Sequence, residues 1–242
     1  MKIRVVVPVF NEEKLLPHFL AHYERFADSI LVWDNGSTDR TREIAKAHPL
    51  VKLMEFRTEG YDEAAVLEVL HQTKGASYGR FDWLMFPDCD EFIRARDPGR
   101  ERELLEGAPE QVIAADGYCM IATPWDAPID LARPLIPQRT WGWKSRNYSK
   151  PIIIRPTLDG DFCPGKHGIK GLKVDPDDRF LLLHLEMIDF NLLVYRKNRR
   201  ELSESNKRHD WCTARFCQPL KTHLEYWASG LLMAEDLSKV IG

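Results

Sequence analysis

The chain has 242 residues, of which 44% are hydrophobic and 29% charged, an ordinary composition for a globular domain of this length. The formal net charge of −3 gives no reason to expect a nucleic-acid partner. No run approaches the ~20 apolar residues of a membrane span, and the N-terminus enters a strand-like run directly, so we expect no secretory signal. The five cysteines form no CxxC pair, which favours free thiols in a reducing, cytoplasmic compartment over disulfides or a zinc site.

Strands and helices alternate in the first part of the chain. The run Ile3-Arg4-Val5-Val6-Val7 is typical of a strand buried on both faces. Pro17 is compatible with the helix that follows only if that helix begins near Lys14. The alternation implies right-handed crossovers and a mostly parallel sheet. The predicted elements are strands over 3–7, 29–33, 51–56 and 81–86, and helices over 11–26, 37–47 and 61–72.

The pattern changes after Glu91. The segment 124–149 is irregular and rich in proline, and it carries three tryptophans. The last helical segment is amphipathic, which leaves two alternatives open: packing on the domain, or peripheral contact with a membrane surface. No clear linker interrupts the chain, so we predict one α/β domain over 1–242. The predicted elements of this half are helices over 99–107, 189–207 and 219–240, and strands over 111–123, 151–155 and 179–186.

Polar residues follow three of the predicted strands directly. They form the segments 8–13 after the first strand, 34–39 after the second and 88–91 after the fourth. In an open parallel sheet, ligands bind beyond the carboxyl ends of the strands. The three segments are therefore expected to meet at one edge and to form a binding site there.

The sequence FPDCDEF places Asp88, Asp90 and Glu91 within four positions at the end of an apolar strand. Carboxylates this close repel one another and are costly to desolvate. They become favourable when a divalent cation lies between them and a polyanion, and Mg²⁺ or Mn²⁺ typically takes one or two protein carboxylates beside phosphate oxygens. A calcium loop is excluded because Phe92 stands where its fifth position needs an oxygen, and no glycine follows at the sixth.

Three segments, VVVPVFNEE, VWDNGSTDRT and WLMFPDCDEF, resemble the N-terminal signatures of family 2 glycosyltransferases with the GT-A fold, and the last is similar to their DxD motif. The resemblance covers roughly residues 1–95 and is looser beyond. It implies a Rossmann-like mixed, mostly parallel sheet, with a nucleotide-sugar-binding half over 1–95 and an acceptor-binding half over 96–242. It further implies transfer of a sugar from a nucleoside diphosphate sugar, expected to be UDP-linked, to a hydroxyl of a glycan or glycolipid, with inversion and with Mn²⁺ or Mg²⁺.

The resemblance also implies roles for individual residues. Asp34 would accept a hydrogen bond from the base, and Asp88 would face the ribose. Asp90 would ligate the metal that bridges the diphosphate, with Glu91 as its neighbour. The remaining residues of the nucleotide site would be Pro8, Phe10 and Glu12 beside the base, and Asn35 and Ser37 in the same pocket.

The second half of the chain offers candidates for the rest of the site. His184, at the end of an apolar strand, is the preferred further metal ligand, and His167 is the alternative. Arg196 and Lys197 belong to a basic run that is a solvated face, a partner of the leaving diphosphate or a contact with anionic lipid. We favour Lys197 and Arg196 for the phosphate role.

An inverting transfer also needs a carboxylate base within reach of the acceptor hydroxyl. The region leaves four candidates, and we prefer Asp126 because it follows a strand in the aromatic segment. Trp125, Trp141 and Trp143 either stack on acceptor sugars or pack in the core. The other base candidates are Asp161, Glu186 and Asp189.

Two other functions compete with glycosyl transfer. A sugar-phosphate nucleotidyltransferase would carry a glycine-rich basic loop after the first strand, whereas Asn11-Glu12-Glu13 is acidic. An inactive nucleotide-sugar-binding scaffold would not need Asp88 and Asp90. Both features favour an active transferase.

Overall fold

The computed structural model describes residues 1–199, 201–203, 206–208 and 218–241. The strands are β1 Ile3–Val9, β2 Ser29–Asp34, β3 Val51–Glu55, β4 Trp83–Met85, β5 Glu91–Ala95, β6 Val112–Ile121, β7 Trp141–Lys144, β8 Ile153–Ile154, β9 Pro176–Met187 and β10 Glu235–Asp236. The α-helices are α1 Leu16–Tyr23, α2 Thr41–Ala47, α3 Glu63–Ser77, α4 Glu101–Glu106, α5 Phe190–Asn198, α6 Leu220–Met233 and α7 Ser238–Ile241.

The strands of the described chain form one mixed sheet. Strands β3, β2, β1 and β4 lie side by side and are parallel, and β8 then joins β4 to β6 by antiparallel pairing. On the other side of β6, β9 pairs with it in parallel and with β5 in antiparallel orientation. The predicted fold, a Rossmann-like α/β sheet with a parallel N-terminal part, is confirmed.

Packing of helix α1 in the core fixes the turn that follows β4. Tyr23 of α1 is fully buried, and its hydroxyl donates to the Glu91 carbonyl at 2.8 Å and accepts from the Ile93 N–H at 2.9 Å. Phe19 packs edge-on against Phe92. Helix α1 therefore holds the start of β5, and with it the acidic turn, against the sheet.

Several elements differ from the sequence-based expectation. Helix α1 begins at Leu16 rather than at Asn11, because Pro17 fits only the first turn of a helix. Strands β5 and β7 were not predicted, since both are short and form through long-range pairing. The segment 219–240 is broken by β10, whose residues pair with β7.

The two long helices of the C-terminal part, α5 and α6, differ in extent and in exposure from the predicted helical segments. Helix α5 ends at Asn198, and the predicted continuation to 207 includes residues 200, 204 and 205, which lie outside the described residues. On α6, Trp227 packs edge-on against Phe190, while Leu224 and Leu232 are exposed. One face thus packs on the domain, and membrane contact of the other stays a prediction. No helix in the described ranges is both long and apolar enough to span a bilayer.

Candidate active site

The three polar strand ends meet in one cleft, as predicted. The cleft lies at the carboxyl ends of β1, β2 and β4, and is closed on the other side by β9, α5 and the loop that follows β8. Nine of the predicted site residues line it: Pro8, Phe10, Glu12, Asn35, Asp88, Asp90, His184, Arg196 and Lys197. The alternative candidates His167 and Glu186 line it as well. Asp34, Ser37 and Asp126 are not among the described residues that line the cleft.

Asp90 lies at the centre of the cleft and is 4% exposed. Its Oδ2 atom is 3.3 Å from His184 Nε2 and also contacts Arg196 Nη1. Burial alone would raise the pKa of the Asp90 carboxyl, but the Arg196 guanidinium and His184 outweigh it and hold this pKa well below its usual range. The contacts with Arg196 and His184 thus favour the ionised form of the Asp90 carboxyl.

The pairing of β5 with β9 explains why Asp90 and His184 meet. Glu91 is the register partner of His184, and the Leu185 N–H donates to the Asp90 carbonyl at 2.7 Å. The His184 ring stacks on Tyr148, with ring centroids 3.9 Å apart, which fixes the plane of the imidazole. The two candidate ligands are thus held by backbone pairing and not by flexible loops.

Two buried lysines, Lys150 and Lys166, hold the other acids of the turn. Lys150 contacts Glu91 and lies 3.4 Å from Asp88, and Lys166 contacts Asp88. Partial burial would raise the pKa of Asp88, but Lys166 and Lys150 lower it to about 2. Neither lysine was among the residues predicted for the site. Lys166 precedes the candidate His167 directly in the sequence, whereas Lys150 has no local signal.

Glu12 ties β1 to helix α5 across the cleft. The buried carboxylate accepts from Arg196 Nη2 at 2.9 Å and from Arg199 Nη2 at 2.6 Å. Arg199 also donates to the Asn11 carbonyl at 2.8 Å, where Asn11 has a left-handed φ of 52°. Glu12 therefore lines the predicted nucleotide site, where its carboxylate accepts hydrogen bonds from two arginines.

The second motif forms a turn beside the cleft. Asp34 is fully buried and accepts from the Ser37 N–H at 3.1 Å and from Arg42 Nη1 at 2.8 Å. Ser37 Oγ in turn accepts from the Asn11 N–H at 2.9 Å. Asn35 reaches the cleft and exchanges hydrogen bonds with Thr58. The motif thus ties β1 to β2, and a direct role of Asp34 at the base stays a prediction.

Strand alternation brings a second carboxylate to the cleft beside His184. Side chains two positions apart share one face of a strand, so His184 and Glu186 point the same way while Leu185 and Met187 enter the core. Glu186 contacts Lys197 and accepts from the Tyr226 hydroxyl at 2.8 Å. Of the four base candidates, Glu186 lines the cleft.

The other three carboxylates have partners elsewhere. Asp126 accepts from the Thr123 N–H at 2.6 Å, Asp161 pairs with His71 at 2.8 Å, and Asp189 caps α5 by accepting from the Leu192 N–H at 2.8 Å. The tryptophans also lie away from the cleft lining. Trp125 and Trp141 form an edge-to-face pair, and Trp143 packs against the core.

The donor atoms at the centre of the cleft suit a small hard cation. A carboxylate oxygen and an imidazole nitrogen are ligands that Mn²⁺ accepts, and Mn²⁺ or Mg²⁺ fills further positions with phosphate oxygens and water. Asp90 and His184 supply such a pair. Within the described residues, no group of three or more His, Cys, Asp or Glu side chains forms a metal site by itself. The residues therefore fit a metal that a bound diphosphate helps to hold. The alternative ligand His167 also lines the cleft, and its Nδ1 donates to the Asn147 carbonyl at 2.6 Å.

The class of protein to which this chain belongs is identified by a family model. The family model described as "Glycosyl transferase family 2" matches residues 4–153, more than half of the 242 residues. The chain therefore belongs to glycosyl transferase family 2, as its three motifs predicted.

Known relatives cover only part of the chain. An uncharacterized protein of Mycobacterium tuberculosis and one of Mycobacterium bovis are each 30% identical over 135 residues, 53% of this chain and 32% of the relative. The match thus spans about a third of the length of these curated relatives.

Similar solved structures include Staphylococcus aureus TarS, with a TM-score of 0.46, 16% identity, and coverage of 95% of this chain and 73% of that one. Another is glucosyl-3-phosphoglycerate synthase from M. tuberculosis with Mn²⁺ and UDP, with a TM-score of 0.35, 21% identity, and coverage of 48% and 44%. At these TM-scores we draw no conclusion from either.

Proposed function

We propose that this protein transfers a sugar from a nucleoside diphosphate sugar, expected to be UDP-linked, to a hydroxyl group of an acceptor. The observation that carries the proposal is the convergence of Asp88, Asp90 and His184 at the carboxyl ends of the parallel strands. Membership of glycosyl transferase family 2 supports it. The acceptor that the family resemblance implies is a glycan or glycolipid.

Each end of the donor has matching groups in the cleft. Pro8, Phe10 and Asn35 form the wall where the base is proposed to bind, and Asp88 is proposed to accept from a ribose hydroxyl. Asp90 and His184 would hold Mn²⁺ or Mg²⁺. When bound, that ion supplies charge stabilisation to the leaving diphosphate. The cationic side chains Arg196 and Lys197 lie on the same wall and add to this field.

We propose Glu186, rather than Asp126, as the general base. The base must lie within hydrogen-bond reach of the acceptor hydroxyl when the acceptor enters the cleft. Glu186 shares the cleft with Asp90, whereas the Asp126 carboxylate is turned back onto Thr123. In an inverting transfer, a Glu186 oxygen takes the proton of the acceptor hydroxyl while the hydroxyl oxygen attacks the anomeric carbon. The diphosphate leaves with the electron pair of the broken glycosidic bond.

The proposal is tested by measuring release of UDP from a panel of UDP-sugars, with Mn²⁺ and with a chelator. A transferase releases UDP with at least one sugar and a hydroxyl acceptor or water, and the chelator stops it. The nucleotidyltransferase alternative would instead release pyrophosphate from UTP and a sugar phosphate. Absence of both products, together with tight binding of UDP, would favour the inactive scaffold.

A further inference from the structure

One oxygen atom in the cleft has two competing partners. Asp90 Oδ2 lies 3.3 Å from His184 Nε2, and the same oxygen contacts Arg196 Nη1. A cation bound by both Asp90 and His184 would need the side of the carboxylate that faces the imidazole. The guanidinium of Arg196 therefore holds the oxygen nearest to the second candidate ligand.

We propose that Arg196 is an internal counterion that competes with the divalent cation for Asp90, so that metal and the diphosphate of the donor bind with positive cooperativity. This inference rests on the proposed function. It predicts how the binding of the two ligands is linked. The metal alone binds weakly, and the diphosphate strengthens metal binding because it offers Arg196 a partner other than Asp90.

Charge balance supports this arrangement. Two carboxylates, Asp90 and Glu12, face two guanidinium groups, Arg196 and Arg199, so the cluster is neutral as it stands. A divalent cation added alone leaves two positive charges in excess in a largely buried cluster, which is costly. A nucleoside diphosphate sugar brings a negative charge on each of its phosphate groups and restores neutrality. Metal and diphosphate thus enter together at the lowest cost.

The hydrogen bonding of Arg196 is also incomplete. Its Nε atom is buried and has no hydrogen-bond partner within the described residues. A buried donor without a partner costs about 1–3 kcal/mol. A position of Arg196 in which Nε also meets an acceptor, such as a phosphate oxygen, would remove this cost. Glu12, the second partner of Arg196, is already shared with Arg199 and remains neutralised if Arg196 moves towards a phosphate.

The test is a titration of Mn²⁺, followed by the loss of the free-ion signal in electron paramagnetic resonance, with and without UDP. For the unmodified protein we expect UDP to tighten Mn²⁺ binding by about tenfold or more. Arg196→Gln should bind Mn²⁺ alone about tenfold more tightly, because the competing cation is gone. The same variant should lose most of the effect of UDP.

Lys14→Gln is the matched control. It removes one positive charge beside the same helix, since the exposed Lys14 ammonium lies 5.1 Å from the centre of the Tyr195 ring, and Lys14 is not among the described residues that line the cleft. If general charge alone mattered, both variants would tighten Mn²⁺ binding equally, and that result would overturn the proposal. We expect at most about a twofold change for Lys14→Gln, because water and salt screen an exposed charge.

Arg196→Lys covers the case in which Arg196→Gln does not fold, as judged by circular dichroism. An ammonium cannot bridge Asp90 and Glu12 as the guanidinium fork does, so this variant should bind Mn²⁺ alone more tightly than the unmodified protein. If folded Arg196→Lys bound Mn²⁺ alone with unchanged affinity and still bound UDP with Mn²⁺, the inference would be wrong. The proposed function would not be affected by that result. If the unmodified protein bound no Mn²⁺ even with UDP, both would fail.

Discussion

His184 Nε2 lies 3.3 Å from Asp90 Oδ2, although the two residues belong to opposite halves of the sequence. The contact is built by the antiparallel pairing of β5 with β9, which sets Glu91 opposite His184. Backbone pairing places both side chains with little loss of conformational entropy on ligand binding. The acidic turn after β4 and the end of β9 thus form one preorganised site.

The assignment of the base is tested by Glu186→Gln. The amide keeps the size and can still pair with Tyr226, but it cannot accept a proton, so kcat should fall by roughly 10²–10⁴-fold while the affinity for UDP changes little. Asp126→Asn is the comparison and should retain activity. Loss of activity in Asp126→Asn with full activity in Glu186→Gln would reverse the assignment.

The buried His22 makes stability depend on pH. Burial lowers the pKa of His22 to about 4, despite its hydrogen bond to the Ile93 carbonyl at 2.7 Å. Between about pH 6.5 and pH 4 the unfolded chain takes up a proton that folded His22 does not, so the free energy of unfolding falls as the pH falls. This loss in the free energy of unfolding reaches about 3 kcal/mol at pH 4.

Urea denaturation across this pH range measures the effect. His22→Gln removes the titration but keeps an amide that can donate to Ile93, so its free energy of unfolding should fall less steeply than that of the unmodified protein. Identical slopes for the two proteins would show that His22 is not held neutral.

Glycines at two positions should respond to alanine in opposite ways. A Cβ at Gly117 would lie 2.1 Å from the carbonyl carbon of Tyr148, so Gly117→Ala must push apart β6 and the segment that carries Tyr148 and Lys150 to the cleft. We expect a loss of about 3 kcal/mol or more of stability. Gly75 lies in α3 with open space around it, and Gly75→Ala should add roughly 0.5–1 kcal/mol. Chemical denaturation measures both, and a neutral Gly117→Ala would contradict the packing described.

Lys150 neutralises a carboxylate that is fully buried, that of Glu91. Lys150→Gln leaves this charge without its counterion, and breaking a buried pair in this way costs about 3–5 kcal/mol. The control is Lys221→Gln, which removes an exposed ion pair with Glu225 and should change stability by less than about 0.5 kcal/mol. Equal effects in guanidinium denaturation would mean that Glu91 does not depend on Lys150.

The sequence predicted what depends on local pattern. The β-branched run of β1 and the polar residues that end β1, β2 and β4 placed Asp88, Asp90 and Asn35 at one sheet edge, where the structure has them. The single His184 at the end of an apolar run was also placed correctly beside Asp90. The positions of these residues could be predicted because the strands are parallel and ligands bind beyond the carboxyl ends of parallel strands.

What escaped prediction depends on long-range contacts. Strand β5 forms because β9 and the Tyr23 hydroxyl receive it, and neither can be seen from the acidic sequence around Glu91. Lys150 and Lys166 are buried only because the acids need counterions, and lysines in loops usually point to solvent. The general base could likewise not be chosen among the four candidate carboxylates from sequence. The choice depends on which face of β9 points into the cleft, and that face carries Glu186.

The central claim is that Asp90 holds a divalent cation against the diphosphate of a nucleotide sugar. Asp90→Asn keeps the size of the side chain and removes its charge, and Asp97→Asn, at an exposed acid paired with Arg100, is the control. The direct measurement is Mn²⁺-dependent release of UDP from the preferred UDP-sugar by the two variants. We predict a fall of about 10²-fold or more for Asp90→Asn and no change for Asp97→Asn. Undiminished Mn²⁺-dependent release by folded Asp90→Asn would contradict the account.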